Sequence, residues 1–288
     1  MNKKELIEEL RKNNFSEIIL NAFKKIKREL FIPKEFKESA YLNQPLPIAI
    51  GSTISQPYTI AFMLSLLELD KLIDINNDEL IIDKTTDKKN GLSEQQKSYH
   101  QKNKKFDIIN IKKSLFLPTP KGVGLSRFFE TGKKTLSLLQ RPLLKSRGLL
   151  FSCNKIKILE IGSGSGYVLA LINEILKFYK IKNTKIYGIE RIKELVEKSR
   201  QILNKNKNII INNKDGSDGL KEHSPFDRIL VSATFEKIPE NLFNQLKNNG
   251  ILVTPVRNSI FRFKKIDDRI QKSEFPGFVF VPVIEDKD

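Results

Sequence analysis

The sequence predicts an α/β protein: a Rossmann-like sheet with helices on both faces, a helical N-terminal segment ahead of it, and a large basic insertion between them. Three observations carry that expectation. Lys155 to Ile161 alternates and is β-branched, as in a strand entering a sheet, and stops at three alternate glycines, Gly162, Gly164 and Gly166. Beyond them Val168, Leu171, Ile172, Ile175 and Tyr179 recur at helical spacing, so strand, glycine turn and helix form the front end of a βαβ unit. The following strand, Lys185 to Glu190, ends in an acid where a ribose diol would lie.

Taken in order, residues 3–13 and 16–27 read as two short amphipathic helices. Ser16 caps the second, and Ile19, Ala22, Phe23 and Ile26 form its buried stripe. Pro33, Pro45 and Pro47 then force an extended passage. Pro57, followed by Ile60, Ala61, Met63, Leu64 and Leu67, opens a third helix. Thr53, Ser55 and Gln56 thus sit at a helix N-terminus, where free N–H groups and the dipole favour an anion. The competing reading is that Ser55 only caps the helix.

Residues 70–154 read as the insertion between a helical segment (1–69) and the α/β core (155–288). Its first half, to Lys105, is rich in Lys, Asn, Asp and Gln and has little periodicity, a composition that favours disorder. The second half, Phe106 to Phe151, mixes apolar and basic residues, as in a helical appendage or a lid. After the glycine turn, helices are expected over 167–180 and 192–205. Strands are expected at Ile209–Asn212, Phe226–Ser232 and Gly250–Val256, with Pro239 opening a helix between the last two. Ile260–Ile266 and Phe278–Val283 read as a closing antiparallel pair.

Composition narrows the function. The formal net charge of +17 could serve a nucleic acid, but lysine, isoleucine and asparagine are abundant throughout, so a solvated basic surface is the favoured reading. Cys153 is the only cysteine, which excludes an intramolecular disulfide framework and points to a reducing cytoplasm. His100 and His223 are the only histidines and share no ligand cluster, so no metal is expected. The N-terminus opens a charged helix rather than a signal peptide, and no apolar run approaches a membrane span.

The glycine turn discriminates between ligands. A dinucleotide fingerprint wants its third glycine where Tyr167 stands; here the third glycine is Gly166. Glu160, two residues before Gly162, is a poor neighbour for a pyrophosphate but suits the ammonium of an amino acid. The turn resembles motif I of the class I S-adenosylmethionine-dependent methyltransferases, with NAD the weaker alternative.

A more specific resemblance runs through Leu46-Pro47-Ile48, Gly51 and Thr53-Ile54-Ser55-Gln56-Pro57-Tyr58, with Phe31-Ile32-Pro33 and Ala40-Tyr41 ahead of them. It continues through Glu190-Arg191-Ile192, Asp215-Gly216, Pro225-Phe226-Asp227, Ile238-Pro239 and Pro255-Val256. In these stretches the chain resembles the protein-L-isoaspartate (D-aspartate) O-methyltransferases. It departs from their pattern at Ala49, Ser52, Lys214 and Thr234-Phe235.

The resemblance implies methyl transfer from S-adenosylmethionine to the free carboxylate of L-isoaspartyl residues, and less readily D-aspartyl ones, in damaged proteins. Glu160, Gly162, Ser163, Gly164, Gly166 and Tyr167 would then face the methionine part of the cofactor, Glu190 and Arg191 its ribose, and Asp215 and Gly216 its adenine. Thr53, Ser55, Gln56 and Val256 would form the acceptor side, with Ser55 as the key contact. Asp215 could instead be only a turn residue. The chain would act as a monomer, without a membrane partner. The alternatives are a nucleic-acid methyltransferase and a non-catalytic adaptor. Against the first, Val231-Ser232-Ala233-Thr234 stands where many amino-group methyltransferases carry an acid or amide followed by Pro-Pro and an aromatic. Against the second stand the intact Ser55, Glu190 and glycines.

Overall fold

The computed structural model describes residues 1–73 and 155–278, apart from 234, 236, 238, 239 and 268. The expected insertion beyond residue 73, the role of Pro239 and a strand over 279–283 lie outside the described residues.

The N-terminal helices form as the periodicity predicts. In α1 (Lys3–Lys12), Asn2 and Glu5 make a reciprocal capping box; in α2 (Glu17–Lys25), the Ser16 hydroxyl accepts from Ile19 N. The next passage is not extended. Two 3-10 turns, Arg28–Leu30 and Lys34–Ser39, occupy it, because Pro33 at the cap of the second fixes one φ without preventing a turn from starting behind it. A small antiparallel hairpin follows, β1 (Leu46–Ala49) and β2 (Ser52–Ile54), and then α3 (Pro57–Leu66). α3 is buried on almost every side rather than along one stripe.

The core alternates as expected: β3 (Ile156–Ile161), α4 (Tyr167–Phe178), β4 (Thr184–Glu190), α5 (Lys193–Ile202), β5 (Ile209–Asn213) and β6 (Phe226–Val231). A four-residue helix α6 (Asn241–Asn244), β7 (Leu246–Val256), β8 (Ser259–Ile266) and β9 (Arg269–Pro276) complete it. The sheet order is β5-β4-β3-β6-β7-β8-β9, parallel through β7 and antiparallel at the last two pairings. β3 is flanked by β4 and β6, so the crossover direction reverses at its carboxyl end, where α/β sheets open a ligand crevice.

Two boundaries differ from the sequence reading. β7 begins at Leu246 rather than Gly250, with a register shift against β6 near Phe226 and Asn249 at φ 63°. The partner of β8 is β9, not a strand at 278–283. Arg269, Gln271, Lys272 and Glu274 make β9 polar on its open edge, which discourages edge-to-edge pairing and also hides the strand from a search for apolar alternation.

The two faces of the sheet are covered unequally. Helices α1 to α5 lie over one face around Leu6, Phe23, Phe62, Leu169 and Leu195. The other face packs Leu159, Phe226, Leu252 and Phe263 under α6 and a 3-10 turn at Lys221–His223. α3 is pinned to the sheet at its C-terminal end. Arg228 of β6 donates to the carbonyls of Leu67 and Glu68, and Arg262 of β8 donates to Leu66 O at 3.2 Å and pairs with Glu68. These are the carbonyls that a helix end leaves unpaired, and cations there also oppose its dipole. Fixing that end aims the other end of α3 at the crevice.

Candidate active site

The glycine turn between β3 and α4 is the floor of the crevice. Gly162, Gly164 and Gly166 all have positive φ (75°, 51° and 83°), a conformation that L side chains rarely adopt. The turn is stitched to the end of β4: Gly162 N and Ser163 N both donate to Ile189 O at 2.9 Å, and Gly164 N donates to Glu190 Oε2 at 2.8 Å. The other Glu190 oxygen accepts from Ile192 N at 2.9 Å. Glu190 is 6% exposed, so its carboxylate clamps the turn as well as standing where a ribose would lie. Each oxygen retains a lone pair for a ligand hydroxyl.

Two buried polar atoms in the floor are left unpaired. Glu160 is 1% exposed; its Oε1 accepts from Ser232 Oγ at 2.6 Å, but its Oε2 has no partner. Ser163 Oγ is likewise buried without a partner. Burial pushes the Glu160 carboxyl up to about 8, against the Ser232 hydrogen bond and with the help of nearby Glu190. Unsatisfied buried polar groups are costly, and those in a binding crevice mark the positions a ligand completes. An acid at Oε2 and a hydroxyl beside it suit an ammonium and its carboxylate, the amino-acid end of S-adenosylmethionine. The residues present fit that group.

The opposite wall comes from the N-terminal segment. Ile48, Thr53, Ile54 and Ser55 of the hairpin region and Ile60 and Met63 of α3 face Glu160, Gly162, Ser163, Gly164, Tyr167 and Ser232 across one pocket. Ile48 reaches over the turn closely enough that a Cβ on Gly164 would lie 3.0 Å from its Cδ1. Ser55 is not the helix cap. Gln56 occupies that position without a side-chain bond, and the Tyr58 N–H is taken by Asn43 Oδ1 at 2.9 Å. The N-terminus of α3 therefore offers fewer free N–H groups than the sequence suggests, while the Ser55 side chain is freed for another role.

Of the site residues read from sequence, Thr53, Ser55, Glu160, Gly162, Ser163, Gly164 and Tyr167 line this pocket together. Gln56, Gly166, Glu190, Arg191, Asp215, Gly216 and Val256 do not line it. Gly166 starts α4 just behind it, and Val256 ends β7 at the same edge of the sheet. Asp215 forms a turn through Ser217 N at 2.8 Å, the competing reading for that residue. Gly216 is needed for packing: a Cβ there would stand 2.5 Å from Ile161 Cγ2.

Sequence reasoning missed Ser232, Asn43 and Arg28. Ser232 could have been found from its place at the end of β6, next to β3 in a parallel sheet. The other two lie in turns without a motif of their own.

The family model described as protein-L-isoaspartate(D-aspartate) O-methyltransferase matches residues 1–77 and 146–288. The protein-L-isoaspartate O-methyltransferase of Petrotoga mobilis is 31% identical over 276 residues, 93% of this chain and 87% of that protein. That of Fervidobacterium nodosum is 29% identical over 286 residues, 96% and 99% of the two chains. Among solved structures, a Plasmodium falciparum protein-L-isoaspartate O-methyltransferase in complex with S-adenosyl-L-homocysteine superposes with a TM-score of 0.60 at 20% identity, covering 99% of both chains. At that identity the likeness concerns the fold.

Proposed function

The chain belongs to the protein-L-isoaspartate(D-aspartate) O-methyltransferase family, and from that premise we propose how its residues carry out methyl transfer from S-adenosylmethionine to the free carboxylate of isoaspartyl residues in damaged proteins. One observation supports the division of labour: a single pocket has the Glu160–Gly164 turn on one wall and Thr53 and Ser55 on the other. The first wall would hold the cofactor and the second the acceptor, so the methyl group would be supplied between them.

Bound S-adenosylmethionine supplies an electrophilic methyl group on a sulfonium. Glu160 Oε2 and Ser163 Oγ hold its amino-acid end, and Glu190, fixed by the turn it clamps, accepts from the ribose hydroxyls. Arg191, Asp215 and Gly216 complete the nucleoside side. Ser55 donates its hydroxyl to one oxygen of the acceptor carboxylate, with Thr53, Gln56 and Val256 bounding the acceptor. A carboxylate with a pKa of about 4 is ionised at neutral pH, so no side chain needs to remove a proton. The chain's contribution is to orient the acceptor and to exclude water with Ile48, Ile54, Ile60 and Met63, which line the space between the two walls. Pairing an anion with a cation in such a place is favourable because their separate hydration is already lost. The resulting ester can close to a succinimide, the first step of repair.

We propose that the chain acts as a monomer and in the cytoplasm, the latter in keeping with its single cysteine; among the described residues no helix is long and apolar enough to cross a membrane. The test is incubation with tritiated S-adenosylmethionine and an isoaspartyl peptide, its normal aspartyl twin, or RNA. Base-labile label on the isoaspartyl peptide alone is expected. Label on RNA alone would overturn the reading.

A further inference from the structure

One buried cation, Arg28, belongs neither to the motifs nor to the pocket lining. Arg28 is 0% exposed and, among the described residues, pairs with no carboxylate. Instead its Nη1 donates to Ala40 O at 3.0 Å and Leu42 O at 3.2 Å, and its Nη2 to Gln44 O at 3.2 Å and Ser55 O at 3.1 Å. Its Nε has no partner. Four carbonyls from two stretches of chain thus converge on one guanidinium. A buried charge normally has a counter-ion. Here burial lowers the Arg28 pKa to about 10, with the Tyr167 and Tyr41 hydroxyls the nearest opposing influences, so the group stays charged at neutral pH.

One of the stretches it joins is the acceptor wall at Ser55, and the other, residues 40–44, packs behind that wall against the start of α3. Residues 40–44 carry Asn43, whose Oδ1 occupies the Tyr58 N–H and whose amide donates to Glu9 at 2.7 Å. Ser55 enters the pocket immediately before that same helix, and Tyr167 lines the pocket too. The arginine therefore ties the backbone just before the N-terminus of α3 to the stretch at 40–44 that packs against it.

We infer that Arg28 is a positioning residue for the acceptor: its guanidinium fixes the main chain at Ser55 and at 40–44, and its charge, uncompensated by any carboxylate contact, favours an acidic group in the pocket. The inference rests on the reading of Ser55 as the acceptor contact. Its sign is specific. A buried cation helps an anionic acceptor and does nothing for a cationic cofactor, so its removal should act on one ligand and spare the other.

Two variants separate geometry from charge. Arg28→Gln removes the charge and most of the donors; Arg28→Lys keeps the charge but cannot fork to four carbonyls. Steady-state kinetics with an isoaspartyl peptide, calorimetry with S-adenosylmethionine and thermal melts are measured on both, below their melting range. Expected are a KM for the peptide raised about tenfold or more in Arg28→Gln and less in Arg28→Lys, with cofactor affinity within twofold of wild type or tighter. A lowered Tm with unchanged peptide KM in Arg28→Lys would reduce Arg28 to a structural residue and overturn the inference. So would a parallel loss of cofactor and peptide binding. If Arg28→Gln does not fold, Arg28→Lys decides alone on the same criterion. Ser55→Ala, run beside them, distinguishes the two claims: a normal Ser55→Ala overturns the Ser55 reading, whereas an impaired Ser55→Ala with a normal Arg28→Lys overturns only the role of Arg28.

Discussion

Replacing Glu160 by glutamine separates the charge of this carboxyl from its shape. Glu160→Gln preserves the volume and lets Ser232 Oγ continue to donate to a side-chain carbonyl. It removes the capacity to ionise and puts an amide NH2, which cannot accept from an ammonium, in place of the second oxygen. Burial raises the wild-type carboxyl from 4.5 to about 8, so at pH 7 most free molecules carry the proton. An ammonium is held best by the ionised form, and binding the cofactor at pH 7 should therefore release close to one proton. Ionisation costs about 1.4 kcal/mol for each pH unit below 8, while a hydrogen bond to a charged group contributes about 1.5–3 kcal/mol. At pH 8 most of that contribution is available, and Glu160→Gln should bind S-adenosylmethionine about tenfold more weakly or worse. At pH 6 the cost of ionisation offsets most of that contribution, and the two proteins should bind within a few-fold of each other. Stability carries the opposite sign. With the folded-state pKa above the unfolded one, the folded protein holds an extra proton between 4.5 and about 8, and its stability falls as pH rises through that window. Glu160→Gln should therefore lose less Tm between pH 6 and 8 in the absence of cofactor. Calorimetry in two buffers of different ionisation enthalpy reads both affinity and proton release. Equal affinities at pH 8, or no proton released by wild type at pH 7, would refute the placement of the ammonium on Glu160.

Ser55→Ala should lower kcat/KM for an isoaspartyl peptide by at least about tenfold, about 1.4 kcal/mol of barrier, with cofactor affinity near wild type; unchanged turnover would leave Ser55 without a role in the reaction. Glu190→Ala should weaken S-adenosylmethionine by about 1–3 kcal/mol and lower the Tm as well, since Gly164 N and Ile192 N lose their acceptor; wild-type affinity by calorimetry would remove Glu190 from the site. Gly216→Ala places a methyl 2.5 Å from Ile161 Cγ2 and should cost about 1–3 kcal/mol of stability in a denaturant titration; a melt identical to wild type would show that Ile161 gives way freely.

Local chemistry determined much of this molecule without any tertiary context. Alternation over Lys155–Ile161, three glycines and a helical stripe are enough to specify β3, the turn and α4, because the turn needs positive φ and only glycine adopts it cheaply. Ser16 and Pro57 mark helix starts through bonds to their own neighbours, and both helices begin there. Seven of the site residues could be read for the same reason: they belong to short motifs whose geometry is set within a few residues. Interactions between distant stretches decided the rest. Asn43 accepts from the Tyr58 N–H at the start of α3 across 15 residues, which sets aside the competing reading of Ser55 as a cap, and Arg28 reaches Ser55 O across 27. The edge strand β9 exists because β8 has an unpaired edge to offer, not because its own residues alternate in hydrophobicity. The state of Glu160 is the clearest case. The sequence supplies a carboxylate beside a glycine turn, but its raised pKa arises only when the fold buries it and β4 brings Glu190 near, outweighing the Ser232 hydrogen bond that pulls the other way.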